Sequence, residues 1–263
     1  MTLINLLKSL RYRALSAIDS RHCSSFISPQ DAIKHKKNDT LFIFGSGYSS
    51  LDGVELISNK IDTMTINYSM FLPIKPNFVM FELPKFYDKV LYSKIMKHKK
   101  DGYSCLLYRP STRDRKLSYK YELLFDSAIN EVRIPYDDTK YLKNIIKKSI
   151  AGKYKKFYYY RISIISALFF AATLGYKEVY LWGVDLNKSK TFYQYKPNDF
   201  NELFDGIRYR EELNNASITE RPLKLGDGAI EHIRLLSELF SEFGVTVHCV
   251  TKKSTLYGLG QGL

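Results

Sequence analysis

"SIISALFFAATLGYKEVYLWGVD", residues 163 to 185, decides the fold. Up to Gly175 the stretch is apolar on nearly every helical face, so it belongs inside a domain, and it is too short to cross a bilayer. It runs directly into residues 178–185, an apolar run of strand character in which Trp182 reads as core. A buried helix that feeds a buried strand is the repeating unit of a parallel sheet covered on both faces.

The same rhythm holds on either side. Candidate strands are "LFIFG" (41–45), "TMTIN" (63–67), "NFVMFE" (77–82), "YSCLLY" (103–108), 178–185 and "VTVHCV" (245–250). Helical spacing is expected over about 84–98, 139–150, 161–175 and 229–243, the last with Ile230, Ile233, Leu236, Leu239, Phe240 and Phe243 on one face. Alternating strands and helices predict an α/β fold: Rossmann-like, with a mostly parallel sheet flanked by helices. Residues 186–226 break the rhythm and read as a lid inserted after the late strand. The expected organisation is a basic amphipathic segment over 1–39 and a single domain over 40–263.

With 45% hydrophobic and 25% charged residues, the 263-residue chain is globular rather than disordered. Cys23, Cys105 and Cys249 are too few and too scattered for a disulfide framework or a zinc site, and they fit a reducing compartment. No run approaches the apolar length of a membrane span, and the opening lacks the order of a signal peptide. Leu3, Leu6, Leu7, Leu10 and Leu15, with Lys8, Arg11 and Arg13, fall near helical spacing. That helix either lies on an anionic membrane surface or packs on its own domain.

A net charge of +13 selects for anionic partners. It concentrates in two "KHKK" runs (34–37 and 97–100) and in "KNIIKKSIAGKYKKFYYYR" (143–161). Aromatics among lysines raise a nucleic-acid reading, but no RNA- or DNA-binding module accompanies them, and solvated faces are the ordinary explanation.

In open parallel sheets, ligands bind outside the carboxyl ends of the strands. "GSGYSS" (45–50) follows the first such end, Asn67 closes the second strand, Glu82 the third and Asp185 the late one. The turn supplies two of the three glycines of a dinucleotide fingerprint, with Asp62 at about the spacing of its ribose-binding acid and Ser50 in place of the third glycine. Alternatively its backbone N–H groups and the Ser46 and Ser49 hydroxyls suit a phosphate or ribose, or its serines simply cap the following helix. Asp137 and Asp138 are the nearest approach to a metal-holding acid pair and lack a third ligand.

Five segments in order, "FIFGSGYSSLD", "INYSMFLPIKPNFVMFELP", "YYYRISIISALFFAATLGYKEVYLWGVDL", "GDGAIEHIRLLSELF" and "VTVHCVTKKSTLYG", resemble the bacterial sialyltransferases of glycosyltransferase family 42 and, more loosely, proteins of flagellin-glycosylation loci. The resemblance spans about residues 40–257. It implies an inverting, metal-independent glycosyltransferase that moves a sialic acid or related nonulosonic acid from a CMP-activated donor to a surface-glycan acceptor. Within it, Gly45, Ser46 and Gly47 match the family's nucleotide turn, Asn67 a nucleotide contact, Arg161 and Ser163 the motif ahead of the buried helix, and Asp185 the end of the late strand. Tyr193 matches a lid tyrosine on the leaving phosphate, and Asn187 falls where the family has a second one.

The departures are chemical. Ser46 replaces an asparagine, Ser163-Ile164-Ile165 replaces Thr-Ser-Gly, and Gly226-Asp227 stands where the family has the Gly-His of its general base. Either a carboxylate or an imidazole accepts the proton of an attacking hydroxyl. Asp227 is the first choice of base and is equally placed to cap the following helix; His232, one turn on, competes. The expected partners are a CMP-sugar and a glycan or glycolipid acceptor, with an anionic membrane and a second copy of the chain as further candidates. No nucleic acid and no cofactor beyond the CMP-sugar substrate are expected, and the expected location is the cytoplasm, peripheral to a bacterial inner membrane. The alternatives are a non-catalytic nucleotide- or glycan-binding relative and an NAD-dependent oxidoreductase.

Overall fold

A computed structural model describes residues 26–82, 89–102, 104–109, 127–129, 131–133, 139–153, 157–159, 162–186 and 228–260. Ten strands are formed there: β1 (Phe26–Ile27), β2 (Thr40–Phe44), β3 (Asp62–Ile66), β4 (Phe78–Glu82), β5 (Cys105–Arg109), β6 (Ser127–Ile129), β7 (Glu131–Arg133), β8 (Phe157–Tyr159), β9 (Glu178–Trp182) and β10 (Thr246–His248). The helices are α1 (Pro29–Ala32), α2 (Ser50–Val54), α3 (Lys89–Asp101), α4 (Thr139–Ile150), α5 (Ser163–Thr173) and α6 (Ala229–Ser241). Eight strands make one sheet in the order β1-β6-β5-β4-β3-β2-β9-β10, and every pairing in it is parallel.

Residues alternate between faces as the pleat requires. Leu41, Ile43, Met64, Ile66, Phe78, Met80, Val179 and Leu181 join one core with α4, α5 and α6. Phe42, Phe44 and Trp182 point to the other face and pack with Leu51 and Val54 of α2; Val79, Phe81 and Leu106 meet Leu91 and Ile95 of α3. Every residue of α5 is buried, and Phe170 packs against Phe78 at 5.4 Å and Phe157 at 5.0 Å between ring centroids. Gly175, at φ +74°, ends α5, and the Tyr176 N–H donates back to the Ala171 carbonyl.

The chain builds β2 through β6 outward in one direction, then returns to lay β9 on the opposite side of β2. The carboxyl ends of β2 and β9 therefore flank the topological switch point, where α/β sheets open a crevice.

Residues 26–39, assigned from sequence to the N-terminal segment, contribute β1, paired with β6, and α1. Two residues of strand carry too little periodicity to be read from sequence. Residues 1–25, with the basic amphipathic helix, lie outside the described residues, as do residues 187–226 of the expected lid. Among the described residues no helix is long and apolar enough to cross a membrane.

The basic runs are partly structural. Lys36 donates to the Gly175 carbonyl at 2.9 Å and to Asp39 at 2.8 Å, and buried His98 lies 3.2 Å from the Met70 carbonyl. Helix α4 buries Leu142, Ile145 and Ile146 and exposes Lys140, Lys143, Lys147 and Lys148, while Phe157, first of the aromatic run, is buried in the core rather than offered to a base.

Candidate functional site

The switch point is sewn shut by backbone. Gly45 N–H donates to the Trp182 carbonyl at 2.7 Å, and Gly47 N–H to the Gly183 carbonyl at 2.8 Å. A Cβ on Gly45 would stand 2.4 Å from the Gly183 oxygen, and one on Gly47 would stand 2.4 Å from Asp185 Oδ2. The glycines are there so that two strand ends can touch.

Ser49 completes the seam. Its hydroxyl donates to Asp185 Oδ1 at 2.5 Å and accepts the Gly183 N–H at 2.8 Å, while its own N–H reaches Asp185 Oδ2 at 3.3 Å. Ser49 and Asp185 are both buried. Ser49 precedes α2 but makes no side-chain cap to it, so neither the capping role nor the ligand role expected of its hydroxyl is filled. The N–H groups of residues 45, 47, 49 and 50 all have partners within the protein, and α2 is only five residues long, which leaves little helix dipole to attract a phosphate. Ser46 stays half-buried between the two glycines.

The last described segment braces this seam from outside. Thr255 N–H donates to the Asp185 carbonyl at 3.0 Å, and Ser254 Oγ to the Val184 carbonyl at 2.8 Å. Lys253 binds Asp52 of α2 at 2.7 Å and lies 4.4 Å from the centroid of the Tyr48 ring. Sequence reasoning gave these residues no role, although "VTKKSTLYG" stood inside the last resembling segment.

One and two strands along the edge from β2, a second cluster forms. Asn67 adopts φ +55° at the end of β3, a left-handed conformation that asparagine tolerates better than most residues. Its Oδ1 accepts the Glu82 N–H at 2.8 Å and its Nδ2 points to Ser163 Oγ at 3.4 Å. Ser163, first residue of α5, donates to Glu82 Oε2 at 3.2 Å. Leu186, just beyond Asp185, also has positive φ, at +50°. Non-glycine residues in such conformations gather at functional sites. The carboxyl edge therefore brings together Gly45, Ser46, Gly47, Asn67, Ser163 and Asp185 from four separate chain segments. Arg161, Asn187, Tyr193, Asp227, the Asp137-Asp138 pair and the other lid residues (Lys188, Lys190, Tyr195 and Arg208) lie outside the described residues.

His232 is fully buried in α6, and burial pushes its pKa down to about 3. An imidazole so held is neutral and a weak proton acceptor. Ile164 and Ile165 are likewise core residues.

Asp62 corrects the dinucleotide reading. It stands at the amino end of β3, where it accepts the Lys37 N–H (2.7 Å), the Asn38 N–H (3.1 Å), Asn38 Nδ2 (2.8 Å) and the Tyr176 hydroxyl (2.7 Å). A ribose acid must stand at the carboxyl end of its strand. Spacing along the chain was right, but the strand end was wrong. Burial and the Asp62 carboxylate together push the Tyr176 phenol far up.

No family model and no curated protein matches the chain. Among solved structures it is similar to the monofunctional α-2,3-sialyltransferase Cst-I from Campylobacter jejuni, at 18% identity over 89% of this chain and 82% of that one, with a TM-score of 0.49. It is similar to a variant of the sialyltransferase CstII in complex with CMP, at 20% identity over 84% of this chain and 86% of that one, with a TM-score of 0.49. A third is CstII from Campylobacter jejuni in complex with cytidine-5'-monophosphate, at 18% identity over 86% of each chain, with a TM-score of 0.44.

Proposed function

We propose that the protein is an inverting, metal-independent glycosyltransferase that moves a sialic acid or related nonulosonic acid from a CMP-activated donor to a glycan or glycolipid acceptor. The observation that carries this reading is the meeting of the residues of the resembling segments at one carboxyl edge, beside a switch point. In it, Ser46, Asn67 and Ser163 face the nucleotide, and Asp185 acts through Ser49 by holding the turn. Arg161 and Asn187 complete the nucleotide side, and Tyr193 binds the departing phosphate.

The acceptor oxygen attacks the anomeric carbon as the bond to the CMP phosphate breaks, and the phosphate leaves with the electron pair. The hydroxyl proton passes to Asp227, ionised at neutral pH and adequate as a base because an oxocarbenium-like centre asks little of its nucleophile. The lid excludes water, which limits hydrolysis of the donor. Work at the cytoplasmic side of a membrane would follow from the acceptor.

Release of CMP from CMP-sialic acid, measured for wild type and Asp227→Asn, tests this reading. Turnover that falls in the variant supports it; unchanged turnover removes Asp227 as the base, and no turnover with any CMP-sugar removes the donor. A second reading, a non-catalytic nucleotide- or glycan-binding relative, is favoured by the apolar burial of Ile164 and Ile165 where the family has small polar groups. CMP binding without transfer or hydrolysis would select it.

A further inference from the structure

Two of the three basic runs are answered from within the fold. Lys34 pairs with Asp31 and Lys36 with Asp39, each at 2.8 Å, while the 97–100 run turns His98 into the core and ends on Asp101. Helix α4 is different, because its sequence TKYLKNIIKKSI holds lysines and no acid. It buries Leu142, Ile145, Ile146 and Ser149 on one side. At about 100° per residue, Lys140, Lys143, Asn144 and Lys147 line the opposite side with Lys148 on its flank, and all five are exposed. Lys143 pairs with Glu242 beyond the end of α6; among the described residues Lys140, Lys147 and Lys148 make no ion pair.

Folding alone does not call for this stripe. Lysines three and four residues apart, here 140 with 143 and 143 with 147, repel one another on a helix. Lys140 also stands in the first turn, at the positive end of the helix dipole, where no acid offsets it. The dipole favours Lys147 and Lys148 in the last turn but opposes the amino half. An anion from outside the chain would relieve both effects.

The side chains say which kind of anion. The stripe has no arginine, whose planar fork suits phosphates held in fixed positions. It has no open aromatic on which a base could stack, since Tyr141 is half-buried and Phe157 lies in the core. Flexible point charges suit anions that are themselves mobile, as lipid headgroups are in the plane of a bilayer. On the side of Lys143 the surface turns acidic, because α6 packs beside α4 and exposes Glu231 and Glu238. The contact is thereby confined to the sector of Lys140, Lys147 and Lys148.

We propose that the Lys140, Lys147 and Lys148 face of α4 docks on the anionic headgroups of a lipid bilayer. The contact is electrostatic and reversible. It uses no residue of the carboxyl-edge cluster and does not depend on the nucleotide-sugar reading.

The test is co-sedimentation of the full chain with vesicles of phosphatidylcholine alone and of an equal mixture of phosphatidylcholine and phosphatidylglycerol, at low and high salt. Wild type should bind the mixed vesicles, release them as salt rises and ignore phosphatidylcholine alone. Each lysine near an anionic surface contributes roughly fivefold to partition, so Lys140→Gln, Lys147→Gln and Lys148→Gln combined should lose roughly a hundredfold, and each single variant roughly fivefold. The combined variant should melt close to wild type, because only exposed side chains change. A parallel variant, Lys8→Gln with Arg11→Gln and Arg13→Gln, separates this face from the basic N-terminal segment. If the combined α4 variant binds mixed vesicles as tightly as wild type, whichever way the N-terminal variant behaves, the proposal is overturned. Wild type that binds both vesicles equally, or neither, overturns it too, and wild type that ignores vesicles but binds single-stranded RNA through the same lysines replaces the bilayer with a nucleic acid.

Discussion

Ser49 and Asp185, 136 residues apart in the chain, share a buried hydrogen bond that fastens the β2 turn to the end of β9. The Gly183 N–H adds a second link to the same hydroxyl, so one small side chain ties the 45–50 turn to the 183–185 segment at two points.

Ser49→Ala and Asp185→Asn should each cost about 1.5–3 kcal/mol in urea unfolding, the range for a buried hydrogen bond to a charged group. The two losses overlap, so the double variant should cost clearly less than their sum. Additive losses would show that the pair is not coupled.

Gly47→Ala should destabilise by roughly 1–3 kcal/mol through forced displacement of packed neighbours, since its new methyl meets Asp185 Oδ2 at 2.4 Å and the Gly183 carbonyl at 2.8 Å. Thermal melting reads this directly. A melting temperature equal to wild type would mean that the seam yields freely.

Asn67 separates backbone strain from side-chain chemistry. Asn67→Ala keeps the strained φ and loses both hydrogen bonds, whereas Asn67→Gly loses the bonds but relieves the strain. Glycine should therefore be the more stable of the two variants by about 1 kcal/mol, with ligand affinity reduced in both.

At the opposite edge, Tyr176→Phe removes one of the donors to Asp62 and should cost about 1–2 kcal/mol. CMP affinity should not change, because Asp62 sits at the amino end of its strand. A weakened affinity would reopen the acid's claim to a ligand.

His232 makes stability depend on pH. Its pKa falls from 6.5 in the open chain to about 3 on folding, so the unfolded chain binds the proton first and the folded state loses ground as the pH drops below about 6.5. The slope contributed by this one group approaches 1.4 kcal/mol per pH unit, and His98, whose pKa burial also lowers, steepens it. Denaturation curves between pH 7.5 and 5 should show the fall, reduced in His232→Gln, and the His232 ring should not titrate by NMR over that range.

The sequence made the long elements legible and, apart from β10, left the shortest strands invisible. Helix α5 and strand β9 follow from an apolar stretch ending at Gly175, and α4 starts and stops where its periodicity does. Strands β1, β6, β7 and β8, of two or three residues, have no period to detect and form only because a neighbouring strand is there. For the site, Asn67 could be picked from its place at a strand end, whereas Ser163 came from the resemblance alone. The use of Ser49 could not, since "GSGYSS" reads equally well as cap or cradle until Asp185 arrives from far along the chain. Asp62 shows the reverse error: spacing alone does not say which end of a strand a residue occupies.

The C-terminal brace sets an order of events during synthesis. The 45–50 turn leaves the ribosome early, but its partner Asp185 follows more than a hundred residues later, and Lys253, Ser254 and Thr255 come about two hundred residues after the turn. A nascent chain arrested before residue 253 would hold most of its core and the seam itself, with nothing yet bracing that seam from outside. The stiffness of the switch point is thus among the last properties this polypeptide acquires.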